Sequence, residues 1–72
     1  MPKCAATQVG GKVRAARHDK GMTVEQLAAA SGVGMRALIN IEHGRTMPRI
    51  DTAERIATAL EMSLSDLVAV AA

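Results

Sequence analysis

The sequence predicts a compact all-α domain of five short helices, and three observations carry that prediction. Its 72 residues are 49% hydrophobic yet include no aromatic side chain, so the core must be built from Ala, Leu, Val, Ile and Met. Of these, the unbranched residues favour helix. Apolar residues recur at spacings of three and four along most of the chain, the period of a helix with one buried stripe. Glycines and capping residues cut that pattern into pieces of helical length.

Met1 to Gln8 show no periodicity and are expected to form a flexible N-terminal arm, leaving residues 9–72 as the domain. Val9, Val13, Ala16 and Lys20 then mark a first helix of about Gly10 to Lys20, closed by Gly21. Gly10-Gly11-Lys12 lacks the strand and the full glycine spacing of a phosphate-binding loop, and reads instead as the start of that helix. Thr23-x-x-Gln26 is a capping-box pattern and opens a second helix, with Leu27, Ala28 and Ser31 inward, Val24 at the edge of the stripe, and Gly32 as its stop. Only Gly32, Val33 and Gly34 separate it from a third helix that places Ala37, Leu38 and Ile41 on one face. A connection this short between two helices is the tight turn of a helix-turn-helix. Gly44 ends the third helix, and Arg45 to Arg49 form a loop around Pro48. Ala53, Ile56, Ala57 and Leu60 define a fourth helix, whose Asp51 and Glu54 suit the positive end of the helix dipole. Ser63 caps a short fifth helix with Leu64, Leu67, Val68 and Ala71 on its apolar side.

Composition narrows the function classes. A chain this short buries only about 60% of its unfolded surface, which argues against a deep catalytic cleft. The single Cys4 cannot form an internal disulfide, there is no apolar run of signal-peptide or membrane-span length, and the expected compartment is the cytoplasm. His18, His43 and Cys4 are too scattered for a metal site, and no catalytic constellation is visible, so the chain is expected to be no enzyme and to need no metal, cofactor or small-molecule ligand. The five methionines read as core gap-fillers. The net charge of +2 is unevenly spread. Through Arg49, Lys3, Lys12, Arg14, Arg17, Lys20, Arg36, Arg45 and Arg49 face Asp19, Glu25 and Glu42, giving +5; beyond it Arg55 faces Asp51, Glu54, Glu61 and Asp66, giving −3. Such a division suits a basic side turned toward a polyanion. RNA and single strands are usually held on aromatic stacking platforms, which this chain lacks, so duplex DNA is the expected polyanion.

The stretch VEQLAAASGVGMRALINI (residues 24–41) resembles the helix-turn-helix core of lambda-repressor-like regulators, the Cro and XRE family. Leu27, Ala28, Gly32, Val33, Leu38 and Ile41 stand at the matching positions. The likeness continues in KVRAARHDKGMT (12–23), IEHGR (41–45), the Pro48 loop and IATALEMSLSDL (56–67). It implies a sequence-specific, duplex-DNA-binding transcriptional regulator, acting as a repressor by occupying an operator. It also implies that Arg17 and Glu42 form an ion pair joining the first and third helices. If Ala37, Leu38 and Ile41 face the core, Met35, Arg36, Ile39, Asn40 and His43 lie on the opposite face, which a recognition helix turns to the major groove. Arg36 matches guanine, Asn40 matches adenine, and Met35 and Ile39 can touch thymine methyls. Arg17, Thr23, His43, Arg45 and Arg49 are the expected phosphate contacts, with Lys3 in the arm beside them. Leu64, Leu67 and Val68, extended by Val70 and Ala71, are the expected homodimer interface, which calls for a palindromic operator.

Three positions depart from the family pattern. Val24 stands where relatives often place a polar phosphate-binding side chain, Gly34 replaces the usual Ser or Thr cap, and Ile39 is apolar where relatives are generally polar. Together with Met35, Ile39 would form an apolar ridge, and this supports an alternative: a protein-interaction module on the same fold, an antitoxin or adaptor with reduced DNA binding.

Overall fold

The computed structural model describes residues 4–69, which form five helices: α1 (Ala5–Asp19), α2 (Val24–Ser31), α3 (Met35–Glu42), α4 (Ile50–Ala59) and α5 (Leu64–Val68). There are no strands among the described residues. α1 packs on α3 and α5, α2 on α3 and α4, and α4 on α5. The core they enclose holds Val9, Val13, Leu27, Val33, Leu38, Ile41, Ala53, Ile56, Ala57, Leu60 and Leu67. Leu27, Leu38, Ile56 and Leu67 are wholly out of water, and each such side chain contributes roughly 1.5–3 kcal/mol of burial. Ser31 is the one buried polar residue among the described residues; its hydroxyl donates to the Leu27 carbonyl at 2.7 Å and accepts from the Val33 N–H at 3.3 Å, tying α2 to the turn that follows.

The helix ends follow local chemistry. Thr23 Oγ1 accepts from Gln26 N–H at 3.1 Å while Gln26 Oε1 accepts from Thr23 N–H at 2.8 Å, the complete capping box. Gly34 caps α3 without a side chain, and Ser63 Oγ accepts from Asp66 N–H at the start of α5. After α1, α2 and α3 the chain turns into the left-handed region at Gly21, Gly32 and Gly44, where a Cβ would be strained. After α4 the same conformation falls on Glu61, with φ at 56°. Glu61 is partnered across the fold by Lys20, whose ammonium hydrogen-bonds its carboxylate and holds it below the usual glutamate range. We expect Glu61→Gly to raise the thermal midpoint by a few degrees, since relief of the left-handed backbone outweighs the loss of an exposed ion pair. The pair's contribution is present above the ordinary glutamate pKa and is lost as acid protonates Glu61. The advantage of glycine should therefore grow on acidification, and melting curves at neutral and acid pH would reveal it.

Several expectations are corrected. α1 starts at Ala5, so residues 5–8, assigned to the arm, belong to the first helix; the alanines are strong helix formers, Cys4 caps them in an extended conformation, and Gln8 N–H already donates to the Cys4 carbonyl. Gly10, read as a helix start, is a buried interior position of that helix. Lys20, counted in the stripe, is exposed at the end of α1. Ala37 is exposed and not part of the core, because Leu38 and Ile41 alone anchor α3 and turn Ala37 away from it. Leu67 is completely buried in the monomer and cannot lie on a dimer surface. Lys3, Val70 and Ala71 lie outside the described residues.

Candidate nucleic-acid interface

α3 is anchored by Leu38 and Ile41, and the connection from α2 is fixed by Gly32 at φ 72° and by buried Val33. Residues 34–37 are all exposed. A helix lying flat on a core would bury a residue within any such turn, so four exposed positions in succession mean that the amino end of α3 projects into solvent. Met35 is 45% exposed, and Arg36 and Ala37 stand beside it. One turn further on, Asn40 is half-buried and its Oδ1 accepts from Arg45 Nη1 at 3.3 Å. That contact links the loop after α3 to the exposed helical face and engages the amide's acceptor, leaving its NH2 for other partners.

Ile39 does not share the exposure of Met35. It is half-buried and lines a cavity of about 180 Å³ with Arg14, Arg17, Val24, Glu42 and His43. Ile39 therefore adds less exposed surface to the apolar ridge expected with Met35, because the side of α3 bearing Ile39 leans toward α1 and the start of α2. Arg17 and Glu42 form one wall of the cavity as a two-pronged ion pair, Nε to Oε2 at 2.8 Å and Nη2 to Oε1 at 2.9 Å. Arg17 Nη1 also donates to the Met22 carbonyl at 2.9 Å, so the arginine joins α1, the turn before α2, and α3. The Glu42 hydrogen bonds raise the guanidinium pKa against the opposing effect of burial.

The remaining expected phosphate contacts surround this face. Thr23 is exposed at the opening of α2, with its hydroxyl committed to the capping box. His43 is exposed at the end of α3, its Nδ1 2.7 Å from the Ile39 carbonyl. Arg45 and Arg49 sit in the exposed loop, where Arg49 approaches Asp51 at 3.7 Å with both side chains largely in water, a pairing of little energetic weight. Two residues of this surface were missed in the sequence. Arg14 lies one turn before Arg17 on α1, a spacing that could have placed it beside the ion pair; Ala37 was missed because its spacing put it with Leu38 and Ile41 on the inward face.

α5 is less available than its composition suggested. Leu67 is in the core, and Leu64 and Val68 are half-buried against it. Among the described residues the large exposed hydrophobic ones are Met35, Met47 and Ile50, none of them on α5. No helix among the described residues is long and apolar enough to cross a membrane.

A helical domain whose third helix projects its amino end, carried on a capped second helix and a glycine turn, defines the helix-turn-helix class. A family model described as "Helix-turn-helix" matches residues 13–67. The chain belongs to that family, as a Cro/XRE-like transcriptional regulator with a helix-turn-helix DNA-binding fold. It is 37% identical over 60 residues to the uncharacterized HTH-type transcriptional regulator y4dJ of Sinorhizobium fredii, covering 83% of this chain and 78% of that protein. It is also 37% identical over 60 residues to the HTH-type transcriptional repressor RghR of Bacillus subtilis, covering 82% of this chain but only 44% of the repressor. Among solved structures, SinR, the master regulator for biofilm formation, crystallised in complex with DNA, superimposes with a TM-score of 0.81 at 29% identity, over 85% of this chain and 98% of that one.

Proposed function

We propose that this protein is a sequence-specific repressor that acts in the cytoplasm by occupying a palindromic operator as a homodimer. The observation that carries the proposal is the exposed amino end of α3, where Met35, Arg36 and Ala37 stand clear of the core beside a cationic surface. Arg36 offers the fork that matches guanine O6 and N7, and Asn40 can pair with adenine once Arg45 releases its oxygen to follow a phosphate. Met35, the half-buried Ile39 and Ala37 supply apolar contact to thymine methyls. Arg17, Thr23, His43, Arg45 and Arg49 hold the phosphates, with the backbone N–H groups at the start of α2 assisting. RghR's designation as a repressor and SinR's crystallisation with DNA support the reading.

A single recognition helix reads too few base pairs to find a site in a genome, so two copies are required. Leu64 and Val68 remain partly exposed on α5 and are the proposed contact between them, with the acidic side of the molecule turned from the phosphates. The competing interaction-module reading rested on the Met35 and Ile39 ridge; with Ile39 half-buried toward α1, that support is reduced.

Binding measurements on base-substituted duplexes test the assignment. Arg36→Ala should cost about 1–3 kcal/mol and relax preference at one base position per half-site. Replacing Arg45 and Arg49 should weaken binding evenly across sequences and reduce the slope of log affinity against log salt by about 0.9 for each phosphate no longer neutralised. Uniform weakening by Arg36→Ala, or an unchanged salt slope in the loop variants, would contradict these roles.

A further inference from the structure

The hydrogen bonding around His43 assigns the proton of its neutral ring to one nitrogen. Its Nδ1 lies 2.7 Å from the Ile39 carbonyl oxygen, one turn back along α3, and that oxygen also accepts from the His43 backbone N–H at 3.0 Å. A carbonyl only accepts, so Nδ1 must donate, and the neutral ring is then the tautomer with a bare lone pair on Nε2. In that form Nε2 cannot donate to a phosphate oxygen and repels it. Protonation turns the same atom into a charged donor, the kind that makes the stronger phosphate contacts.

The groups around the ring favour an anionic guest. The cavity that His43 lines receives Arg14 and Arg17 from α1, the apolar Val24 from α2, and Ile39 and Glu42 from α3. Arg17 and Glu42 neutralise each other through their two hydrogen bonds. Arg14 makes no ion pair among the described residues and leaves the cavity with a net positive charge.

We propose that His43 gates a DNA-phosphate contact by protonation, so that this regulator holds DNA more tightly as pH falls. The proposal rests on the DNA-binding reading above. Imidazole changes charge between about pH 5 and 8. If the complex requires a proton on Nε2 that the free protein lacks, binding takes up one proton per protomer. Affinity then rises with falling pH until the free protein is protonated too, and flattens below that.

The intact chain should be titrated with a fluorescent duplex pool of random sequence, at fixed ionic strength, at pH values from about 8 to 6 that bracket the imidazole range. A random pool suffices because phosphate contacts do not depend on sequence. The parent should bind several-fold more tightly at the acid end, with a limit of about tenfold per pH unit for each proton taken up. His43→Gln should bind with a flat pH profile, since its amide donates at every pH, while His18→Gln, altered on α1 outside the cavity, should keep the parent's response. Circular dichroism on each variant establishes that it is folded. If the parent and His43→Gln respond equally to pH, or His18→Gln alone abolishes the response, the gate is overturned and the DNA-binding reading stands. Absence of binding at every pH and at low salt overturns both.

Discussion

Glu42→Ala is expected to destabilise the domain by about 3–5 kcal/mol, the cost of stranding one member of a buried ion pair. The Arg17 and Glu42 side chains retain only 13% and 6% of their exposure, and both prongs of the pair are short, at 2.8 and 2.9 Å. Without Glu42, the guanidinium keeps the Met22 carbonyl as its one remaining partner. It cannot escape by losing its proton, since an arginine stays charged in proteins. A 72-residue domain has a total stability of roughly 4–11 kcal/mol at 0.05–0.15 kcal/mol per residue, so the variant should stand near the edge of unfolding. Denaturant unfolding followed by circular dichroism measures the loss. Glu42→Leu combined with Arg17→Met should recover much of it, because a pair of apolar side chains leaves no charge unanswered. A loss under 1 kcal/mol for Glu42→Ala would show that water or another group replaces the carboxylate.

Gly10→Ala and Gly11→Ala, adjacent in sequence, should shift stability in opposite directions. Alanine in an exposed helix interior is worth about 1 kcal/mol over glycine, and a Cβ at Gly11 would meet nothing within 4 Å, so Gly11→Ala should stabilise by about that amount. A Cβ on Gly10 would instead drive into the Ile41 carbonyl oxygen, with the Glu42 backbone close behind. Backbone cannot swing aside as a flexible side chain can, so α1 and α3 would have to separate. Overpacking of this kind costs about 1–3 kcal/mol and occasionally more, and we place Gly10→Ala at about 2–3 kcal/mol net. Because Arg17 and Glu42 span the same two helices, Gly10→Ala combined with Glu42→Ala should be non-additive. Equal effects at Gly10 and Gly11 would mean that the close crossing of α1 and α3 does not exist in solution.

The glycine contrast also shows what the sequence could and could not convey. Where signals were local, they were readable: the Thr23 to Gln26 box, the Gly21, Gly32 and Gly44 stops, the Ser63 cap, and the stripe of Ala53, Ile56, Ala57 and Leu60 all stand as expected. The Arg17 and Glu42 pairing was legible through the family resemblance and is present as a two-pronged ion pair. What the sequence hid depended on contacts between distant segments. Gly10 resembles a helix start until α3 is seen packed against it. Ala37 and Ile39 straddle the boundary of the buried stripe, and their fates were decided by how far α3 tilts toward α1, which no periodicity encodes. Leu67 looked like surplus apolar surface on a short helix, but α1 and α4 close over it. At the candidate interface, the exposure of Arg36 could be read from spacing alone, whereas the half-burial of Asn40, its contact with Arg45 and the cavity shared by Arg14 and His43 depend on loop and helix placement.

Selection of bound duplexes from a random pool by the intact chain tests most directly the claim that the projecting end of α3 reads DNA. The account predicts an enriched two-fold symmetric motif whose half-site centres lie one helical turn apart, about 34 Å along one face of the duplex. It further predicts that Arg36→Ala, selected in parallel, loses preference at one position in each half-site and keeps the spacing. A folded protein that enriches no motif at low salt, or one whose motif is unchanged by Arg36→Ala, would contradict it.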